Sequence, residues 1–168
     1  MGNAPIFADK ADAGYIWDVD GNKFIDWPMA LGPLLLGHNN TEINILLSEQ
    51  LKKGIAFSLP HHLEVSLAEK LIDYIPYAEA VRFGKNGSDA TSAAVRAARA
   101  YTNRDHILCC GYHGWQDWYI GTTLRSKGVP RNVANLTHPF TYNNIDSLKD
   151  LLSKYEGKVA AIIMEPIG

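Results

Sequence analysis

This chain predicts an α/β fold built on a mostly parallel sheet, and three observations lead there. Two short apolar runs, His106–Cys110 and Val159–Met164, lack polar alternation, as expected of strands covered on both faces. Helical patterns of about a dozen residues separate these runs and a third one, Val81–Phe83, giving a βαβ…αβ order. Each run also ends in a loop rich in chemistry-bearing residues: Gly84–Asp89, Gly111–Trp115 and Glu165–Gly168. Ligands of open α/β sheets bind at that carboxyl edge.

With 168 residues, 46% of them apolar and 20% charged, the chain can bury the core of an ordinary globular domain. A net charge of −2 gives no reason to expect nucleic acid or an anionic membrane surface as partner. No apolar stretch is long enough to span a bilayer, and no charged-then-apolar signal segment opens the sequence. The two cysteines, Cys109 and Cys110, are adjacent, too close for an ordinary disulfide. Reduced thiols in a buried strand fit a cytoplasmic location.

Ala13–Trp27 reads as a β-hairpin. Tyr15-Ile16-Trp17 and Phe24-Ile25 flank Asp18-Val19-Asp20-Gly21-Asn22, where Asp-Gly marks the turn. A lone hairpin is marginal and must pack on something. Pro28–His38, punctuated by Gly32-Pro33 and Gly37, reads as an irregular loop held against a core or a pocket. Thr41 is expected to cap a helix with Ile43, Leu46, Leu47 and Leu51 on one face and Gly54 at its end. In the connector Ala56–His62, the adjacent His61 and His62 cannot share one face, which argues against a metal site. No zinc-like Cys/His spacing occurs elsewhere. Glu64–Ile75 is an amphipathic helix stopped by Pro76.

Val81–Phe83 should form a strand that turns through Gly84 and Gly87 into a helix over Ala90–Tyr101, capped by Ser88 or Asp89. Small side chains at Ala90, Ala93, Ala94, Ala97 and Ala98 would let that helix lie close to a neighbouring sheet or helix. Arg96 and Arg99 read as surface charge. His106–Cys110 then runs into Gly111-Tyr112-His113-Gly114-Trp115, and Trp118 extends the aromatic cluster. Arg125–Pro139 reads as a polar, loop-like insertion. Ile145–Tyr155 is a helix capped by Asn144 or Asp146 and closed by Gly157. Val159–Met164 follows, with Glu165-Pro166 at its carboxyl end.

A glycine turn opening a helix offers free backbone N–H groups and the positive end of the helix dipole, a ready site for phosphate. The same residues equally describe an ordinary capped βα turn. Gly84 and Gly87 make neither a dinucleotide fingerprint nor a P-loop. Taken with Tyr112 beside His113 and with Glu165 at a third strand end, the turn suits a planar phosphorylated cofactor. Phosphate would sit in the nest and an aromatic would cover the ring, as pyridoxal phosphate requires. A non-catalytic phosphate- or nucleotide-binding α/β module is the rival from a different class.

These motifs, in this order, carry a resemblance. Tyr15–Asn22, Asp26, Gly32–His38, Val81-Arg82-Phe83, Asn86-Gly87-Ser88-Asp89-Ala90, Arg96–Asp105, Tyr112-His113-Gly114 and Glu165-Pro166 together resemble the class III, fold-type I, PLP-dependent aminotransferases. The nearest branch is the glutamate-1-semialdehyde aminotransferase-like one. The resemblance covers nearly the whole chain. It implies an incomplete fold-type I transferase: an N-terminal small-domain segment over 1–59, containing the hairpin, and the first part of the large PLP-binding domain over 60–168. It further implies pyridoxal 5'-phosphate as cofactor, a small-molecule amino donor and oxo acceptor, and a homodimer. Asn86, Gly87 and Ser88 would contact the cofactor phosphate, where the family usually has Ser-Gly-Thr. Tyr112 would stack on the pyridine ring with His113 beside it, and Glu165 would lie near the cofactor.

Two departures qualify the match. None of the ten lysines stands in the family's Schiff-base motif, and Lys85 reads as a surface residue. The lysine and the acid that pairs with the pyridine nitrogen are expected beyond Gly168. The chain is therefore expected to be an N-terminal portion without catalytic residues, inactive alone. Trp27-Pro28-Met29-Ala30-Leu31-Gly32 also places Ala30-Leu31 where the semialdehyde aminomutases usually have Ser-Trp beside the substrate. That difference favours an aminotransferase acting on another substrate, such as a sugar or amino-acid derivative, over the 2,1-aminomutase.

Overall fold

The computed structural model describes residues 6–167, so Gly168, the end of the third predicted loop, lies outside the described residues. The chain divides into two compact units, one through Glu69 and the other from Lys70.

In the first unit, β1 (Ala8–Asp12), β2 (Tyr15–Asp18) and β3 (Lys23–Ile25) form an antiparallel sheet in that order. The predicted hairpin is β2–β3, with Tyr15 opposite Ile25 and Trp17 opposite Lys23. Asp18 closes its turn by accepting the N–H groups of Asp20 at 3.0 Å and Asn22 at 2.8 Å, and the Asn22 side-chain amide at 2.9 Å. These bonds, led by the Asn22 amide, hold the Asp18 carboxyl below its ordinary value. β1 lacks a clear alternation and was not legible as a strand. It pairs with β2 and supplies the packing that a lone hairpin needs.

The loop after β3 is organised by Asp26. Its carboxylate accepts the Met29 N–H at 3.1 Å and His38 Nε2 at 2.6 Å. Met29, Ala30 and Leu31 all have positive φ, of 43°, 54° and 65°, a conformation that disfavours side chains with a Cβ. Within this loop Met29, Leu34 and Gly37 are half-buried, whereas Leu31 and Leu35 are 93% and 91% exposed, with no core over them among the described residues. In α1 (Thr41–Leu51) the cap is Asn40, one residue before Thr41, and its side chain accepts the Ile43 N–H at 3.1 Å. An asparagine in extended conformation is the better acceptor there. α2 (His62–Tyr74) begins two residues before the amphipathic pattern does.

In the second unit, α3 (Gly87–Thr102), β4 (His106–Cys110), α4 (Asp117–Ile120), α5 (Arg131–Ala134), β5 (Thr137–Pro139), α6 (Ile145–Lys154) and β6 (Val159–Met164) follow in order. The sheet is parallel throughout, in the order β5-β4-β6. As the central strand, β4 is covered on both faces: Ile107 and Leu108 are 0% and Cys109 1% exposed. Ile107 and Cys109 pack with Val95, Trp118 and Tyr119, against Ala160, Ala161 and Ile163 of β6.

Three expectations are corrected here. Val81–Phe83 is not a strand, because among the described residues no neighbouring strand supplies its ladder. The polar stretch 125–139 is not all loop: it holds α5, and β5 pairs with β4 in spite of Pro139 because it is an edge strand. Most of the alanine stripe of α3 does not face the core; of its members only Ala98 is half-buried. Val95 is the buried residue of that helix, with Thr91 and Ser92 half-buried beside it, while Ala90, Ala93, Ala94 and Ala97 are exposed.

Both cysteines are free and buried. Burial, reinforced by the neighbouring Cys110, pushes the Cys109 thiol from 9.0 up to about 11. The stability tied to a protonated Cys109 is thus fully present below pH 9 and is lost as pH rises toward 11. Urea denaturation from pH 8 to 11 should show a shallower alkaline loss for Cys109→Ala than for the unaltered protein.

Candidate active site

Two walls of one cavity come from neighbouring parts of the second unit. One wall is the first turn of α3. Asn86, in extended conformation, is its cap and accepts the Asp89 N–H at 3.0 Å; neither Ser88 nor Asp89 takes that role. The Ala90 N–H reaches the Asn86 carbonyl at 3.2 Å. The N–H groups of Gly87 and Ser88 are left without an acceptor among the described residues, as expected of a helix start. The other wall is the loop after β4. Asn86, Gly87, Ser88, Thr91, Tyr112, His113, Gly114 and Trp115 line an open cavity of about 450 Å3.

The walls meet at Gly114. A Cβ there would lie 2.3 Å from Ser88 Oγ, and the residue has φ of 113°, so only glycine fits. Ser88 Oγ accepts the Trp115 N–H at 3.4 Å, which leaves its own proton free. Thr91 Oγ1 donates to the His113 carbonyl at 2.8 Å.

The structure places Asn86, Gly87, Ser88, Tyr112 and His113 at this cavity. Their side chains do different things. The Tyr112 ring is 68% exposed and meets Tyr119 edge-on at 5.7 Å. The His113 imidazole is only 8% exposed; it lies near-parallel to Trp118 at 6.2 Å, and its Nε2 sits 2.9 Å from the Cys110 carbonyl. Because a carbonyl only accepts, Nε2 is the protonated nitrogen. Glu165 does not line the cavity. Its Oε2 accepts the Tyr112 N–H at 3.4 Å, and its own N–H continues the ladder to the Cys110 carbonyl at 3.0 Å. Gly111 makes room for that carboxylate, since a Cβ there would come within 2.6 Å of Glu165 Cβ.

Reasoning from sequence missed Thr91, Gln116 and Tyr119. Tyr119 Oη donates to the Gly111 carbonyl at 2.9 Å, and burial, with Cys109 and Tyr112 nearby, raises its phenol above the usual value. Tyr119 reaches the loop from a helix over 117–120, and four residues carry too little periodicity to be read.

Fold and site thus define an α/β unit with free N–H groups at a helix start beside an exposed aromatic ring. Comparison with known proteins gives the family: the class III aminotransferase model matches residues 1–168, and the chain belongs to that family. It is 40% identical to the 3-aminobutyryl-CoA aminotransferase of Cloacimonas acidaminovorans (strain Evry), over 99% of this chain and 40% of that protein. An omega-transaminase from Sphaerobacter thermophilus superposes with a TM-score of 0.88 at 29% identity, covering 99% of this chain and 42% of its own. A transaminase with PLP bound superposes with a TM-score of 0.91 at 27% identity, with the same coverages, 99% and 42%. The chain therefore spans about two-fifths of the length of these relatives. Family membership and the PLP-bound neighbour indicate pyridoxal phosphate as the cofactor.

The tight approach at Gly114 makes a direct test. Gly128 also has positive φ, of 95°, with nothing near its Cβ position. Gly114→Ala should destabilise by about 1 kcal/mol or more beyond Gly128→Ala, read as the difference in urea midpoints.

Proposed function

We propose that the chain is the N-terminal, phosphate-gripping part of a PLP-dependent aminotransferase that moves an amino group between a small-molecule amino donor and an oxo acceptor. One observation carries the proposal: unsatisfied N–H groups, a hydroxyl with a free proton and an exposed tyrosine ring converge on one cavity. A dianionic phosphate suits the first two, and a planar ring suits the third.

In this assignment Gly87 and Ser88 hold the phosphate through backbone N–H groups, and Ser88 adds its hydroxyl. Asn86 shapes the turn as helix cap, and Tyr112 covers one face of the ring. His113 and Glu165 act through Tyr112: the imidazole pins the loop to β4 from below, and the carboxylate holds the Tyr112 backbone. Bound pyridoxal phosphate supplies the electron sink for amino transfer. This chain's residues orient it. Among the described residues no lysine lines the cavity, so the group that moves the proton must come from elsewhere in the whole protein, and the chain alone would be inactive.

The two-domain assignment, small-domain segment over 1–59 and large-domain start over 60–168, belongs to the same proposal, as do a homodimer and a cytoplasmic location. Among the described residues no helix is long and apolar enough to cross a membrane. Ala30-Leu31 has neither the hydroxyl nor the indole expected of a semialdehyde aminomutase, which favours transamination.

Absorbance titration of the complete protein with PLP tests the assignment. Ser88→Ala should weaken binding by about ten-fold, the value of a hydrogen bond to a charged group. Tyr112→Ala should weaken it comparably, and Tyr112→Phe much less, since the ring and not the hydroxyl makes the contact. Unchanged affinity in both alanine variants would remove Ser88 and Tyr112 from the site.

A further inference from the structure

We infer that Gln116 is a positioning residue for the phosphate grip, and that it acts by tethering the Asp89 carboxylate away from the cavity. The inference rests on the phosphate assignment proposed above. Asp89 lies in the first turn of α3, one residue after Ser88. A carboxylate there stabilises the helix start, yet it stands next to a nest meant for a dianion and would repel it. The structure resolves the conflict with a directed chain of hydrogen bonds. Trp118 Nε1–H donates to Ser92 Oγ at 3.0 Å. Ser92 Oγ–H donates to Gln116 Oε1 in a short contact. Gln116 Nε2–H donates to Asp89 Oδ1 at 3.4 Å, and the Lys85 N–H donates to Asp89 Oδ2 at 3.2 Å.

The polarity runs one way along this chain. Indole N–H can only donate, so the Ser92 oxygen receives it and its own proton turns to Gln116. That fixes the side-chain carbonyl of Gln116 toward Ser92 and its amide toward Asp89. Trp118 is 7% exposed, so the first donor is anchored in the core. Neither Ser92, Gln116 nor Asp89 lines the cavity. Gln116 therefore touches no ligand and acts only through the acid it holds.

The prediction separates a positioning role from a merely structural one. PLP and pyridoxal share the ring, and pyridoxal lacks the phosphate. In the complete protein, Gln116→Leu removes one of the two tethers on the Asp89 carboxylate and leaves only the Lys85 N–H, so the ratio of PLP to pyridoxal affinity should fall, by up to about ten-fold. Pyridoxal affinity itself should hold. Adding Asp89→Asn to Gln116→Leu removes the repelling charge and should restore the ratio. Ser92→Ala breaks the chain one step earlier and should lower the ratio less; if Gln116→Leu does not fold, Ser92→Ala decides. An unchanged ratio in the variants, or equal losses for both ligands, overturns the inference. If the unaltered protein itself shows no preference for PLP over pyridoxal, the phosphate assignment fails instead.

Discussion

The close approach between the first turn of α3 and the loop after β4 is the constraint on which the rest of the second unit depends. At Gly114 the backbone comes so near Ser88 that no side chain fits. Thr91 and Ser88 then take up the polar groups of His113 and Trp115 across the seam. Without that contact the free N–H groups of Gly87 and Ser88 and the ring of Tyr112 would face solvent as unrelated features. With it they line one cavity. The sheet serves the seam. β4 is buried from Ile107 to Cys110 and carries the loop, and β6 runs parallel beside it and delivers Glu165 to the back of Tyr112.

The division of labour at the site follows from chemistry. Groups that can meet a ligand are backbone N–H groups, one hydroxyl and one exposed ring. The two ionisable side chains beside Tyr112 are engaged with backbone instead. The His113 imidazole is bound to a carbonyl of β4, and the Glu165 carboxylate is bound to a backbone N–H. A phosphate grip of neutral donors on a helix start holds its geometry across pH better than one built on side chains that gain or lose charge.

Much of this was legible in the sequence because the signals were local. β4 and β6 have the residue bounds of their apolar runs, and the β2–β3 turn follows from Asp20-Gly21. What failed depended on pairing partners rather than on the segment's own residues. β1 and β5 exist through their pairing with β2 and β4, and Val81–Phe83 has the residues of a strand but no neighbour among the described residues. The cap of α3 was placed too late, because Asn86, Ser88 and Asp89 are all good capping residues and only the extended backbone at Asn86 chooses among them. At the site, the residue types were legible and the roles of His113 and Glu165 were not. Sequence puts both beside Tyr112, but only coordinates reveal that both point at backbone.

The central claim is that the anion of the cofactor sits on the start of α3. A crystal structure of the complete protein with pyridoxal phosphate tests it most directly. The account predicts phosphate oxygens within hydrogen-bond distance, about 2.7–3.2 Å, of the Gly87 and Ser88 N–H groups and the Ser88 hydroxyl. Phosphate density elsewhere, with that helix start solvated, would contradict it.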